Sequence, residues 1–286
     1  MDVSVVVPCR NAARHLSRQL QALERQEYDK PWEIVVADNG STDDSRRICE
    51  TYLERLTLRI VDVPRPIGAS HARNAGARSA RGRKLLFVDG DDEVAPGYLA
   101  TMAEALDSAS FVTSRVDTAT LNPVWNQSAH GPWQEEGLLY LASDFLPAAG
   151  PNIGIWKSVF DAVGGYPEDI NFSAAEDLAF AWRVQLLGIR LQFVPEAVYR
   201  YRHRDSPWGL YRQSFRWGTF LPLLYREFRP AGMRRRPRRE VLQGWAGLGR
   251  QLLRARSKGD VAKLLVDAGY SLGRLRGSFR YGVLFL

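Results

Sequence analysis

The sequence predicts an α/β protein: a mostly parallel sheet with helices on both faces, followed by a strongly basic helical extension. Two observations carry this expectation. Between Ser4 and Val88 short apolar runs alternate with helical patterns, the rhythm of strand–helix–strand units. The charge then changes sign: residues 1–205 hold 22 Lys and Arg against 28 Asp and Glu, whereas residues 206–286 hold 17 against 4. We therefore divide the chain into a globular domain over 1–205 and an aromatic-containing, basic extension over 206–286.

The elements follow in order. Ser4–Val7 reads as a buried strand, and Arg14–Gln26 as a helix with Leu16, Leu20 and Leu23 on one face. Glu33–Ala37 is the second strand. Asp43–Leu56 is a second helix, with Ser41, Thr42 or Asp43 to cap it. Leu58–Val63, Gly68–Ala80 and Lys84–Val88 continue as strand, helix and strand. A helix near Gly97–Leu106 and a strand near Ser110–Ser114 precede a polar, Trp-containing stretch from Asp117 to Glu136, expected to be a loop over a cleft. Ser158–Val163 and Ala175–Leu187 read as helices, Leu191–Val194 and Ala197–Tyr201 as two short strands. From Trp208 the chain reads as helices broken near Arg234–Arg239.

Composition narrows the class. An apolar fraction of 45% over 286 residues is enough to bury a full core. No apolar run approaches the ~18 residues a spanning helix needs, and no apolar stretch follows Met1, so neither a membrane span nor a leader is expected. Two cysteines, Cys9 and Cys49, are too few for a disulfide framework. A cytoplasmic location is expected, and the basic extension suggests an acidic partner surface.

Ligands of open parallel sheets meet the carboxyl ends of the strands. Here the first strand runs into Pro8-Cys-Arg-Asn11, the second into Asp38-Asn-Gly-Ser-Thr-Asp43, and the fourth into Asp89-Gly-Asp-Asp92. A carboxylate such as Asp38 at a strand end can accept from base N–H or ribose hydroxyl groups, and Gly40 permits a tight turn. Three carboxylates within four residues repel one another, and a divalent cation relieves that most easily. Hard oxygen ligands shared with a phosphate suit Mg²⁺ or Mn²⁺.

Several segments stand in a telling order: Val5-Val-Val-Pro-Cys-Arg-Asn11, Val35-Val-Ala-Asp-Asn-Gly-Ser-Thr-Asp-Asp44, Gly68-Ala-Ser-His-Ala-Arg-Asn-Ala-Gly76, Leu86-Phe-Val-Asp-Gly-Asp-Asp92, Val163-Gly-Gly-Tyr-Pro167 and Glu176-Asp177. Together they resemble glycosyltransferase family 2, over roughly residues 2–205. The resemblance implies a GT-A type, Rossmann-like mixed sheet and an inverting transfer from a nucleotide-sugar, most simply a UDP-sugar. It implies that Pro8, Asn11, Asp38, Gly40 and Ser41 line the base and ribose pocket, that Arg73 faces the base or diphosphate, and that Asp89 lies near the ribose and metal. Asp91 would be the principal metal ligand, His203 a further one, and Asp177 the general base. The start of the Ala175–Leu187 helix is expected to lower the Asp177 pKa. Gln213-Ser-Phe-Arg-Trp217 resembles a segment of the family's processive synthases, and Arg216 would offer a cation to the diphosphate. In relatives the segment holding Asn152 and Gly154 borders the donor sugar. Trp125, Trp133 and Trp156 are candidate stacking platforms for sugars, with a core position the stronger expectation for Trp156.

The expected acceptor is a glycan, a lipid-linked sugar or a small molecule. The extension would meet an anionic membrane surface at the inner face of a membrane, or a second subunit in a homodimer; nucleic acid is not expected. Two other readings stand beside this one. Nucleotidyl transfer would need a Gly-rich phosphate loop after the first strand, which Pro8-Cys-Arg-Asn11 is not. A catalytically silent scaffold, binding anionic lipid or nucleic acid through its basic part, would fit loss of Asp91 or Asp177, but both acids are present.

Overall fold

The structure is a computed structural model and describes residues 1–66, 68–127, 129–131, 134–140, 145–168 and 174–286. Its contacts separate two compact units: residues 1–117, 134–138 and 148–201 form the first, and residues 118–133, 139–147 and 202–286 the second.

The first unit is built on one eight-stranded sheet. Its strands are β1 (Val3–Cys9), β2 (Trp32–Asp38), β3 (Leu58–Asp62), β4 (Lys84–Phe87), β5 (Glu93–Val94), β6 (Phe111–Asp117), β7 (Ile153–Trp156) and β8 (Gln192–Arg200). They lie in the order β3-β2-β1-β4-β7-β6-β8-β5. The first four run parallel, β7 lies antiparallel between β4 and β6, and β8 runs parallel to β6. Helices α1 (Ala13–Glu24), α2 (Ser45–Glu50), α3 (Ala69–Ser79), α4 (Tyr98–Ser108), α6 (Lys157–Val163) and α7 (Glu176–Leu186) connect the strands; α5 (Val124–Gln127) belongs to the second unit. Strands buried on both faces read as continuous apolar runs, as Val5–Val7 and Ile34–Ala37 do. One face packs Phe87, Phe111, Ile153, Ile155, Phe160, Tyr166 and Phe180 into a single cluster.

Three local expectations change. The helix expected over 43–56 is α-helical only to Glu50 and continues as tighter three-residue turns, with Thr51, Tyr52 and Leu53 N–H groups donating to Ile48, Cys49 and Glu50. The two strands expected over 191–201 are one, β8. Its register on β6 slips between the Ser114–Val194 and Arg115–Val198 pairs, where Pro195 has no N–H for the ladder. Within the stretch expected as loop, Val124–Gln127 forms a short helix.

The second unit is helical: α5, α8 (Pro207–Phe228), α9 (Arg238–Arg254) and α10 (Lys258–Tyr281), with the expected break before α9. Ser206 caps α8 by accepting from Gly209 N–H at 3.1 Å, and Ser257 and Asp260 form a reciprocal capping box on α10. The tightest packing lies along α10. A Cβ on Gly269, Gly273 or Gly277 would come within 2.2–2.3 Å of Ser214 Oγ, Phe215 O or Thr219 O of α8. At these glycines α10 meets backbone of α8 and the small Ser214 side chain, with no room for a side chain of its own. Ala129, Leu210, Ala262 and Val266 close a small core beside it.

Candidate functional site

In the first unit, β1 and β2 end side by side at the Cys9–Asp38 pair, and β4 ends three residues sooner along β1, at the Val6–Phe87 pair. Alternate residues of β1 point their backbone groups to β4, as Val6 O does in accepting from Val88 N–H at 3.2 Å. Pro8 is the next in that series and falls beyond the ladder's end, so its missing N–H costs nothing there.

The loop after β2 is held by its own polar side chains. Asp38 Oδ1 accepts from Ser41 N–H at 2.9 Å, and Gly40 takes φ 77°, which a side chain would strain. Ser41 Oγ accepts from Asn11 N–H at 3.1 Å, and Asn11 Oδ1 from Thr42 N–H at 2.8 Å. Asn39, buried, ties the following segment by accepting from Gly68 N–H at 2.8 Å and donating to Val63 O at 3.2 Å. Asn11, Asp38, Gly40 and Ser41 are thus brought into one cluster, with Pro8 at its edge.

The acids after β4 form a second cluster. Asp89, Asp91 and Asp92 each offer a carboxylate oxygen, all within 4.8 Å of one another. Protein partners relieve part of their repulsion. Arg73 Nη2 donates to Asp89 Oδ1 at 2.9 Å, and the Tyr199 hydroxyl donates to Asp92 Oδ2 at 2.8 Å while accepting from Asp89 N–H at 2.9 Å. Burial and the neighbouring Asp92 keep that phenol protonated. An all-carboxylate set of this kind is the chemistry that Mg²⁺ and Mn²⁺ take, so the residues fit such an ion.

Arg73 joins this cluster to the start of α7. It is only 4% exposed, donates from Nη1 to Glu176 Oε1 at 3.0 Å, and lies 5.2 Å over the Tyr166 ring. Burial alone would weaken its charge; Asp89, Tyr166 and Glu176 reverse that and hold the guanidinium ionised. The next residue of α3, Asn74, donates to Tyr166 O and accepts from Tyr166 N–H, both at 2.8 Å. The Gly164–Pro167 turn is thereby docked on α3.

Asp177 sits in the first turn of α7 and accepts from Leu178 N–H at 2.9 Å. The expectation that the helix start would lower its pKa is corrected. Burial, then the adjacent Glu176, raise it from 3.8 to about 7, against the opposing pull of Arg73. A carboxyl poised near neutrality suits proton abstraction better than one held fully ionised. Tyr199 and the pairing of Glu176 are what the sequence does not show. Glu176 stood in view beside Asp177, but its partner Arg73 is 103 residues away.

His203 and Arg216 belong to the second unit, where the backbone N–H of buried His203 donates to Asn122 Oδ1 at 2.8 Å and its ring lies tilted against that of His130, 5.0 Å between centroids. Burial lowers the His203 pKa to about 4, so its imidazole is neutral at physiological pH. Arg216 is exposed on α8. Trp125 has Lys258 Nζ 4.0 Å over its ring. Trp156 is partly buried, donating to Leu106 O at 2.7 Å beneath Arg83. Trp133 lies outside the described residues. Asn152 is buried and donates to Ser114 O at 2.9 Å, and Gly154 is packed between Leu86 and Val112.

Glycosyltransferase GlyG of Streptococcus pneumoniae is 24% identical over 231 residues, 71% of each chain. Poly(ribitol-phosphate) beta-N-acetylglucosaminyltransferase TarS of Staphylococcus aureus is 33% identical over 109 residues, 37% of this chain and 19% of that longer protein. The crystal structure of TarS residues 1–349 with UDP superposes with a TM-score of 0.57 at 19% identity, over 99% of this chain and 92% of that one. Mannosyltransferase PcManGT of Pyrobaculum calidifontis, in complex with GDP-Man and Mn²⁺, gives 0.65 at 18% identity, over 97% and 87%. These likenesses establish the GT-A fold. The model of glycosyl transferase family 2 matches residues 4–164, more than half of the chain, from the second residue of β1 through β4 and the acids that follow it, and the chain belongs to that family.

Proposed function

We propose that this protein is an inverting glycosyltransferase that moves a sugar from a nucleotide diphosphate, most simply UDP, to an acceptor hydroxyl in cell-envelope, lipid-linked or polysaccharide glycan synthesis. The observation that carries the reading is the Asp89–Arg73–Glu176 chain. It ties the acids after β4 to the first turn of α7, where Asp177 stands. A single displacement at an anomeric carbon needs a leaving-group side and a base side held in fixed relation, and the Arg73 contacts support that reading.

In this reading the base and ribose lie against Pro8, Asn11, Asp38, Gly40 and Ser41, with the Asp38 carboxylate accepting from the base. Asp91 and Asp89 would hold Mg²⁺ or Mn²⁺, which would supply positive charge toward the departing diphosphate. Asp177 takes the proton of the acceptor hydroxyl as its oxygen bonds to the anomeric carbon, the nucleoside diphosphate leaves from the opposite side, and the configuration inverts. Arg73 fixes Asp89 and balances the charge of Glu176. Contacts of His203 with the metal and of Arg216 with the diphosphate rest on the sequence resemblance alone. The second unit would serve the acceptor side at an anionic membrane surface, an assignment supported by its charge.

Calorimetric titration with UDP, GDP and dTDP, with and without Mn²⁺, tests the donor site. Metal-dependent binding of one nucleotide is expected and names the base. A folded protein that binds none of them refutes the reading.

A further inference from the structure

Helix α9 is amphipathic, yet it does not turn its apolar face to the protein. None of its 17 residues is buried. Leu242, Trp245, Gly249, Leu252 and Leu253 recur at steps of three and four and so share one face. Leu242, Leu252 and Leu253 are 69%, 67% and 85% exposed, and Trp245 is exposed as well. The contact that α9 makes with α10 uses another face, where Gln251 Nε2 donates to Asp267 Oδ2 at 2.7 Å. Isolated exposed leucines are ordinary, but a whole face of them with a tryptophan marks a surface that something covers.

The surrounding charge says what covers it. Residues 229–258 carry ten Lys and Arg and one acidic residue, Glu240. Arg239, Arg250 and Arg254 align along one border of the apolar face, and Arg234, Arg235 and Arg236 precede the helix. A second copy of the chain would bring two such arginine runs together, which repulsion opposes. Nucleic acid would satisfy the arginines and leave the leucines in water. An anionic bilayer satisfies both, through headgroup phosphates for the arginines and the acyl boundary for the leucines and Trp245. No helix among the described residues is long and apolar enough to cross a membrane, and an in-plane helix has no need to.

We propose that α9 is an in-plane membrane-docking helix that lies in the interface of an anionic bilayer. This deepens the membrane side of the proposed function and rests on it.

The test is flotation of the full chain with phosphatidylcholine vesicles, with and without phosphatidylglycerol, at two salt concentrations. The variant is Leu252→Asp with Leu253→Asp, two exposed positions whose change leaves the fold intact, as circular dichroism and nucleotide titration would verify. We expect salt-sensitive binding to the phosphatidylglycerol vesicles, at least tenfold weaker in the variant. Quenching of wild-type tryptophan fluorescence by brominated lipid should fall in Trp245→Phe. Equal binding by wild type and the double variant would overturn the α9 assignment and leave the membrane reading standing on another element. Absence of wild-type binding would remove both. A dimer that the double variant abolishes, without vesicle binding, would give the face to a second copy instead.

Discussion

At the scale of single residues the site is governed by how carboxylates are kept charged or neutral. Asp177 is raised from 3.8 to about 7 by burial and by Glu176, and two consequences follow with opposite signs. As a base it must be ionised, so kcat should rise with pH up to and through about 7 and then level off. In stability the folded state holds the Asp177 proton between about pH 4 and 7 while the unfolded chain has released it, so its contribution is lost as pH rises through that window. Asp177→Asn should therefore keep nucleotide binding, lower kcat by about 10²- to 10⁴-fold, and gain in Tm relative to wild type as pH rises from about 4 to about 7, levelling off above that. Near-normal turnover by that variant would remove Asp177 as the base. Asp91→Ala should abolish the Mn²⁺-dependent part of nucleotide affinity in the same calorimetric titration, and an unchanged Mn²⁺ effect would take Asp91 out of the metal site. Arg73→Met leaves Asp89 and Glu176 facing each other without their cation. Breaking such a buried pair costs about 3–5 kcal/mol, and chemical denaturation should show a loss of that order. The acids were legible in the sequence because they cluster within four positions. The Arg73 bridge was not, because it joins α3 to α7 and no local spacing encodes that pairing.

At the scale of elements, local pattern and tertiary pairing divide the sheet between them. The parallel strands β1 to β4 and their helices carry their own periodicity. β7 does not: Ile153–Trp156 is four residues long, and its place between β4 and β6 is set by tertiary pairing alone. The same limit hid the packing of α10 on α8. Gly269, Gly273 and Gly277 recur every fourth residue, but only the structure shows that backbone atoms of α8 fill the space a side chain would take. Gly273→Ala would place its Cβ 2.3 Å from Phe215 O, and overpacking of this kind typically costs about 1–3 kcal/mol. Gly244 of α9 has open space around it, so Gly244→Ala should instead gain about 0.5–1 kcal/mol from helix propensity. Thermal unfolding of the pair gives opposite shifts if α10 seats on α8 through its glycines, and equal shifts would contradict that packing.

At the scale of the whole molecule the decisive property is the division of charge, −6 over residues 1–205 and +13 over 206–286. An acidic region need not repel an anionic donor when Arg73 and a divalent ion supply the local positive charge; overall charge governs which large surface the protein approaches. Deleting residues 230–286 is a poor test of this, because it removes α10 and strips α8 of its packing partner. Replacing Arg234, Arg235, Arg236, Arg238 and Arg239 by Gln is a better one, since all but Arg236 are exposed and Arg236 is only partly covered. Each basic residue near an anionic surface contributes about 1 kcal/mol. The five together should thus lower affinity for phosphatidylglycerol vesicles by two orders of magnitude or more at low ionic strength. The gap between variant and wild type should close as salt screens the surface, while nucleotide affinity stays unchanged. If vesicle binding survives the loss of these arginines, the apolar face of α9 carries the attachment by itself; if nucleotide affinity falls with it, the basic segment serves the donor site and the division of labour drawn here is wrong.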